Sequence, residues 1–460
     1  MENTNITKRK RQRQQITLAD HFTTGRLLRF VLPSIVMMVF ISIYGVVDGL
    51  FVSNVVGKTA FASINLIMPF LMVFGGIGFM IGTGGSAIVA RTLGEGNRDR
   101  ANRIFSMLIY VTVVVGIVFS AIGIAFLEPI SRLLGADDAM MPYCITYGRW
   151  NLIALTSFML QNVFQSFLVT AEKPKMGLAV TVAAGCTNMV LDYLFVAVFR
   201  WGVAGAAVAT GLSQCVGGVI PLVYFLLPQG KINTSCLKLT RAGIDWNVLF
   251  HTVTNGSSEL MSSISSSVVN MLYNKQLLHF EGENGVAAYG AIMYINFIFI
   301  AIFIGYAIGS APIIGYNYGS GNTDELKNMF RKSILFNLIT GVFLAGLAIA
   351  MSGLLTGIFV GYDAELEALT RHGFCIYALA FTVCGINIFG SSMFTALSNG
   401  LVSALISFLR TLLFQVTVVL VLPIFFDVEG VWASVLVAEV FALCVTTFFF
   451  VRMRKRYNYV

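Results

Sequence analysis

The chain has 460 residues, of which 57% are hydrophobic and 11% charged. Soluble domains carry about 25% charge, so this composition excludes a soluble globular protein. The net charge of +8 does not indicate nucleic-acid binding, because the basic residues cluster at the ends of apolar runs.

Twelve apolar segments, each long enough to cross a bilayer at ~1.5 Å per residue, are expected near 27–52, 62–89, 104–127, 147–170, 177–198, 203–227, 250–274, 287–315, 333–356, 373–395, 402–425 and 430–451. The N-terminal stretch is basic (Lys8, Arg9, Lys10, Arg11, Arg13), but the run after it is too long for a signal-peptide core and is retained as the first span. That run, Arg29 to Phe51, contains Asp48. A carboxylate costs about 3 kcal/mol or more in lipid, so Asp48 either faces a polar cavity with a task or sits solvated at the headgroup boundary.

On span four, Gln161, Asn162 and Gln165 are candidate cavity polars. On span five, Asn188 and Asp192 are four residues apart and share one helix face. Glu259 lies early in span seven beside Asn255 and a serine-rich face. It would line a vestibule or mark a solvated boundary. Arg410 lies ~12 Å in from the basic end of span eleven and Glu439 ~18 Å from the same side on span twelve, depths that permit an ion pair of structural or gating use. Arg410 could instead snorkel to the surface.

Lysine and arginine set the orientation. With the N-terminus inside, inner segments hold roughly 23 basic residues against 6 outside, which places both termini in the cytoplasm. The longest polar connection divides the chain into a basic segment 1–26, a six-helix lobe 27–227, a linker 228–249, a second six-helix lobe 250–451 and a tail 452–460. The halves repeat. Gly94, Gly96 and Asn97 recur 225 residues later as Gly319, Gly321 and Asn322, and Gly202–Ala206 matches Gly430–Ser434. Six-span halves with both termini on one side are parallel repeats, a transporter architecture with the pathway between them. Aligning VVDGLF (Val46–Phe51) with VVNMLY (Val268–Tyr273) sets Asn270 opposite Asp48, and Thr210 falls opposite Ala438. The second half keeps the geometry and lacks the acid.

The stretches Val46–Pro69 (VVDGLFVSNVVGKTAFASINLIMP), Ala90–Asn97 (ARTLGEGN), Leu134–Arg149 (LGADDAMMPYCITYGR) and Asn188–Val196 (NMVLDYLFV) resemble the multidrug and toxic compound extrusion (MATE) transporters, most closely their prokaryotic DinF-like branch. The likeness runs from about Asp20 to Arg456. It implies an all-α membrane protein of twelve helices in two pseudo-symmetric lobes around a central cavity. It also implies export of amphipathic, often cationic organic compounds against inward H⁺ or Na⁺. Carried over by motif, the cation-coupling positions are Asp48, Asn188, Asp192, Ala206 and Thr210, and a sodium ion would be held by Asp48, Asn188, Asp192 and Thr210. Asp48, Asp192 and Thr210 all fall ~6–11 Å from the outer ends of their spans. Two carboxylates at one depth need a cation between them or a shared proton.

The expected partners are a small organic substrate and the lipid bilayer of the cell membrane. The expected working unit is a monomer, with no nucleic acid and no cofactor beyond the coupling ion. The seven cysteines show no metal spacing, and no GxxxxGK[ST] loop suggests an ATP-driven pump. A lipid-linked oligosaccharide flippase is the alternative cargo class; it would want several cationic residues in the cavity. An integral-membrane enzyme would need a catalytic cluster at a membrane face, and none is present.

Overall fold

A computed structural model describes residues 16–55, 58–230 and 233–460; of 48–55, 58 and 61 it describes the backbone alone. Among the described residues there is helix and no strand beyond one isolated bridge, Gln229 to Asn233. Nine helices are long and apolar enough to span a membrane, and two bent pairs raise this to eleven. The longest helix, Trp246–Gly319, is two spans joined at Gly282, whose φ of 61° lets the chain reverse with helix on either side. Counting its arms separately gives twelve.

We number the spans α1 (Thr24–Val55), α2 (Lys58–Gly94), α3 (Arg98–Ala125), α4 (Met141–Ile153 with Leu155–Thr170), α5 (Pro174–Asp192, continued by a π-helix Tyr193–Val198) and α6 (Gly202–Leu226). The second set is α7 and α8 (the arms of Trp246–Gly319), α9 (Thr323–Ala350), α10 (Ala364–Ala378 with Phe381–Ala396), α11 (Gly400–Phe408, a π-helix Leu409–Phe414, then Gln415–Val421) and α12 (within Pro423–Tyr457, broken at Asp427).

The repeat is written in the backbone as well as in the sequence. Left-handed residues recur as pairs, Gly96 with Gly321, Glu172 with Ser398 and Arg200 with Asp427. Asn97 caps α3 by accepting from the Arg100 N–H, and Asn322 caps α9 by accepting from the Glu325 N–H. The bends match too, 55° in α4 and 50° in α10. The same local chemistry therefore builds both lobes.

Each lobe takes in the first turns of the other's leading helix. Leu27, Phe30, Val31 and Ile35 of α1 pack in one cluster with Tyr306, Ile313, Met329 and Phe389 of the second lobe. Val248 of α7 packs in the cluster of the first lobe. The linker segment is docked as well. Leu237 is fully buried, Lys238 N–H donates to Asn102 Oδ1 at 3.0 Å and Thr240 N–H to Ser106 Oγ at 2.8 Å, and the helix of α7 begins at Trp246. Away from the interface, α3 and α9 expose Val114, Ile117, Ile339 and Phe343, side chains suited to acyl chains.

Glycine brings the lobes into backbone contact at the end that carries Arg91, Arg98 and Arg100. A Cβ on Gly94 would run into the Tyr316 carbonyl, and one on Gly319 into the Arg91 carbonyl. Farther along the same seam, Gly84 meets Thr252 and Gly256 meets Met80. This basic end is sealed.

Candidate functional site

The first lobe gathers α1, α5 and α6 around one face of α5, which packs along both neighbours. Gly185 lets α1 approach; a Cβ there would lie 2.5 Å from the Phe40 ring and 3.1 Å from that of Tyr44. One turn on, Asn188 is 2% and Asp192 1% exposed. Neither amide atom of Asn188 has a hydrogen-bond partner among the described residues. Buried polar groups are normally paired, so this amide is set for a ligand, an ion or a water. After Asp192 the helix widens into the π-helix Tyr193–Val198, a form frequent at functional sites. Gly205 of α6 closes on it, with room for a Cβ only 3.0 Å from the Phe195 carbonyl. Ala206 is buried and Thr210 half-buried on the same helix. The side chain of Asp48 lies outside the described residues, though its backbone belongs to α1.

The second lobe solves the same burial problem with fixed partners. Arg410 Nε lies 2.8 and 3.0 Å from the two Glu439 oxygens, and Nη2 lies 2.8 Å from Oε1. Asn387 Nδ2 completes the site, donating to Glu439 Oε2 at 2.7 Å and to the Glu439 carbonyl at 2.9 Å. Arg410 sits on the π-helix Leu409–Phe414. Asn270, opposite Asp48 in the repeat, accepts from the Tyr289 hydroxyl at 2.9 Å. Tyr289 stacks on Tyr273 at 5.1 Å, and Tyr273 donates to Gln415 Oε1 at 3.0 Å. A tethered guanidinium thus holds the Glu439 carboxylate, with Asn387 bonded to it through Nδ2 while its Oδ1 has no hydrogen-bond partner among the described residues.

That ion pair makes a prediction. Glu439→Gln should destabilise the protein by about 3–5 kcal/mol, since it leaves Arg410 uncompensated inside the lobe. The double change with Arg410→Gln should recover part of that loss. Thermal unfolding in detergent measures both, and equal losses from single and double changes would show that the two side chains do not depend on each other.

The remaining candidates are placed as follows. Glu259 is half-buried on α7, within electrostatic reach of Arg410. Its serine neighbours turn back onto their own helix: Ser262 donates to the Ser258 carbonyl, Ser263 to that of Glu259 and Ser266 to that of Ser262. Such back-bonding uses their donors locally. Gln161, Asn162 and Gln165 are 7, 3 and 5% exposed. Asn162 Nδ2 donates to the Gly75 carbonyl at 3.2 Å, and Gln161 packs against Gly217. Asn162 and Gln161 therefore join α4 to α2 and α6 inside the first lobe, while Gln165 Oε1 is buried with no hydrogen-bond partner among the described residues. Between the lobes at the basic end lies a cavity of about 340 Å³ whose lining includes Arg91, Arg100, His251 and Asn255.

Sequence reading did not single out Asn387, Tyr273, Tyr289 or Gln415. The one available signal was the tyrosine and amide content of otherwise apolar runs.

The MatE family model matches residues 33–194 and 260–421, one copy in each lobe. The chain is 23% identical over 413 residues to the multidrug export protein MepA of Staphylococcus saprophyticus, covering 90% of each chain. It is 22% identical over 435 residues to the protein of that name from Staphylococcus haemolyticus, covering 94% of each. Among solved structures, a MATE protein in complex with MaL6 superposes with a TM-score of 0.90 at 20% identity, over 97% of this chain and 100% of that one. An outward-facing multidrug resistance MATE family transporter of the MOP superfamily also gives 0.90 at 20% identity, over 97 and 99%. At this identity the superposition speaks for the fold.

Proposed function

Because this chain belongs to the MatE family, we propose that it is a secondary antiporter of the cell membrane, exporting amphipathic organic cations in exchange for inward H⁺ or Na⁺. The observation that carries the reading is the asymmetry between its lobes. One lobe holds a buried amide without a partner among the described residues, beside a buried carboxylate. The other has its carboxylate locked to arginine. A coupling ion needs one exchangeable site, and the first lobe supplies the residues for it: Asp192 and Asn188, with Asp48 and Thr210 from the flanking helices. The multidrug name of the curated relatives supports the cargo class.

Transport then follows from two states. The sealed basic end is the cytoplasmic side, and the lobes part there after the ion or proton has changed its occupancy of the first-lobe site. A ligand shifts such an equilibrium only by its difference in affinity between the states, so the acid must change its surroundings as α1 and α6 move against α5. The working unit is a monomer, since each chain carries both lobes and the seam between them. A lipid-linked oligosaccharide would need cationic side chains free deep in the cavity, whereas Arg410, which lies within a span, is committed to Glu439.

The orientation is tested by labelling. A cysteine introduced at Arg200 should react with an impermeant maleimide in intact cells, and one at Lys238 should react only after the membrane is opened. External labelling at Lys238 would reverse the assigned orientation.

A further inference from the structure

The residues ahead of α1 belong to neither lobe alone. Phe22 is fully buried, and its N–H donates to Glu325 Oε1 at 3.0 Å. Its carbonyl accepts from Asn328 Nδ2 at 3.0 Å and from Lys332 Nζ at 2.5 Å. His21 Nδ1 lies 2.6 Å from Glu325 Oε2. All of these partners stand on the first turns of α9, in the second lobe. A few residues earlier the chain is pinned in a turn, Thr17 donating to the Asp20 carboxylate through both its N–H and its hydroxyl. There Leu18, 1% exposed, donates its N–H to Glu172 Oε1 at 2.8 Å. Glu172 occupies the left-handed turn between α4 and α5, in the first lobe. A cavity of about 160 Å³ lies beside this end of the segment, walled by Leu18, Ala19, Leu93, Arg98, Cys236 and Tyr316 among others.

We propose that Thr17–Phe22 is a strap across the two lobes that holds the basic end shut, and that its first-lobe end must undock before that end can open. The two attachments are unequal. The second-lobe end has four hydrogen bonds, most of them to or from ionisable side chains, and a buried ring. The first-lobe end, where among the described residues Leu18 donates to Glu172, lies beside a cavity. The space beside Leu18 leaves fewer packing contacts to break there, so the strap lets go at Glu172 and stays with α9. The repeat shows what is particular to this segment. The residues ahead of α7 dock on the first turns of α3 in the same manner, through Lys238 to Asn102 and Thr240 to Ser106. That stretch, however, continues directly from α6 of the lobe it docks on, so it bridges nothing. The strap is the releasable half of the seal. The inference rests on the alternating-access reading given above.

Cys236 is a built-in reporter. It is half-buried in the wall of the cavity beside the strap, and burial, with the Glu172 carboxylate next, pushes its thiol up to about 12. It should therefore react slowly with maleimide while the strap is docked. In a protein that keeps Cys236 and has its other six cysteines replaced by alanine, Glu172→Ala and Glu325→Ala should each speed labelling of Cys236 about fivefold or more, as local opening becomes easier. Glu325 is anchored in the other lobe, so an unchanged rate in Glu325→Ala overturns the strap. The second arm adds Ala19→Cys to the same background and bridges it to Cys236 with a short cleavable bis-maleimide. Export of ethidium should fall at least about tenfold on bridging and return on cleavage, because a minor open state is then withheld. Ethidium export at the unbridged rate would refute the strap. Failure of the unbridged parent to move ethidium would count against the antiport reading instead, and the labelling arm would still decide the strap.

Discussion

An Asp192→Asn protein is expected to bind organic cations and to lose gradient-driven export, by about two orders of magnitude or down to the leak of empty vesicles. The acid is 1% exposed at the end of the regular part of α5, one turn beyond Asn188. Asparagine has nearly the same shape, so the packing of α1 and α6 against α5 survives and the protein should fold. What disappears is the group whose charge distinguishes an occupied site from an empty one. Inverting a two-state population from 1:99 to 99:1 takes about 5.5 kcal/mol of differential affinity, and a neutral amide offers a proton or a sodium ion almost none of it. Asp48→Asn should behave alike, and the second lobe already carries Asn270 at the equivalent position. Ethidium efflux under an imposed gradient, set beside ethidium binding by fluorescence anisotropy, separates loss of coupling from loss of cargo. Normal efflux from either variant would remove that carboxylate from the coupling site.

The other large effect is expected from Gly94→Ala together with Gly319→Ala. These glycines let α2 and α8 touch backbone to backbone, each facing a carbonyl of the opposite lobe. A methyl group has no side chain to push aside there, and overpacking of this kind costs about 1–3 kcal/mol per site. The cost falls only on the state with the basic end sealed. At about 1.4 kcal/mol per tenfold, a pair of such changes moves the equilibrium by a factor of about thirty or more toward opening at that end. A cysteine placed at Thr92, 4% exposed in the sealed state, should become reactive from the basic side, and export should stop. Gly290→Ala is the control, since nothing lies within 4 Å of a Cβ there. If the double variant exports like the control, the glycine seam is not a moving contact.

Much of this is legible in the amino-acid sequence. Apolar length and basic clustering gave the spans, and Gly94-x-Gly96-Asn97 with its later copy gave the repeat, because each of those residues meets a backbone demand that recurs in both lobes. Depth counting brought Arg410 and Glu439 within reach, and their contact is 2.8 Å. Other features depend on choices the sequence leaves open. A serine on a helix can point outward or fold back to the carbonyl four residues earlier, and the run after Glu259 folds back. The polarity of Gln161, Asn162 and Gln165 was evident, yet the close approach at Gly75 and Gly217 turns Asn162 and Gln161 into helix-to-helix joints. Gly282 reads as a loop residue, and its positive φ instead allows two spans to join almost without a loop. The strap was missed because its partners, Glu172 and Glu325, lie 154 and about 300 residues away in sequence.

The most direct test of antiport is transport by the purified protein in proteoliposomes, with ethidium outside and a proton or a sodium gradient imposed separately. In vesicles oriented with the basic end outward, an outward-directed gradient of one of the two ions should drive ethidium inward without ATP. The same gradient should leave Asp192→Asn vesicles at the leak rate. Ethidium accumulation that ignores both gradients, or that proceeds equally in Asp192→Asn vesicles, would contradict the account.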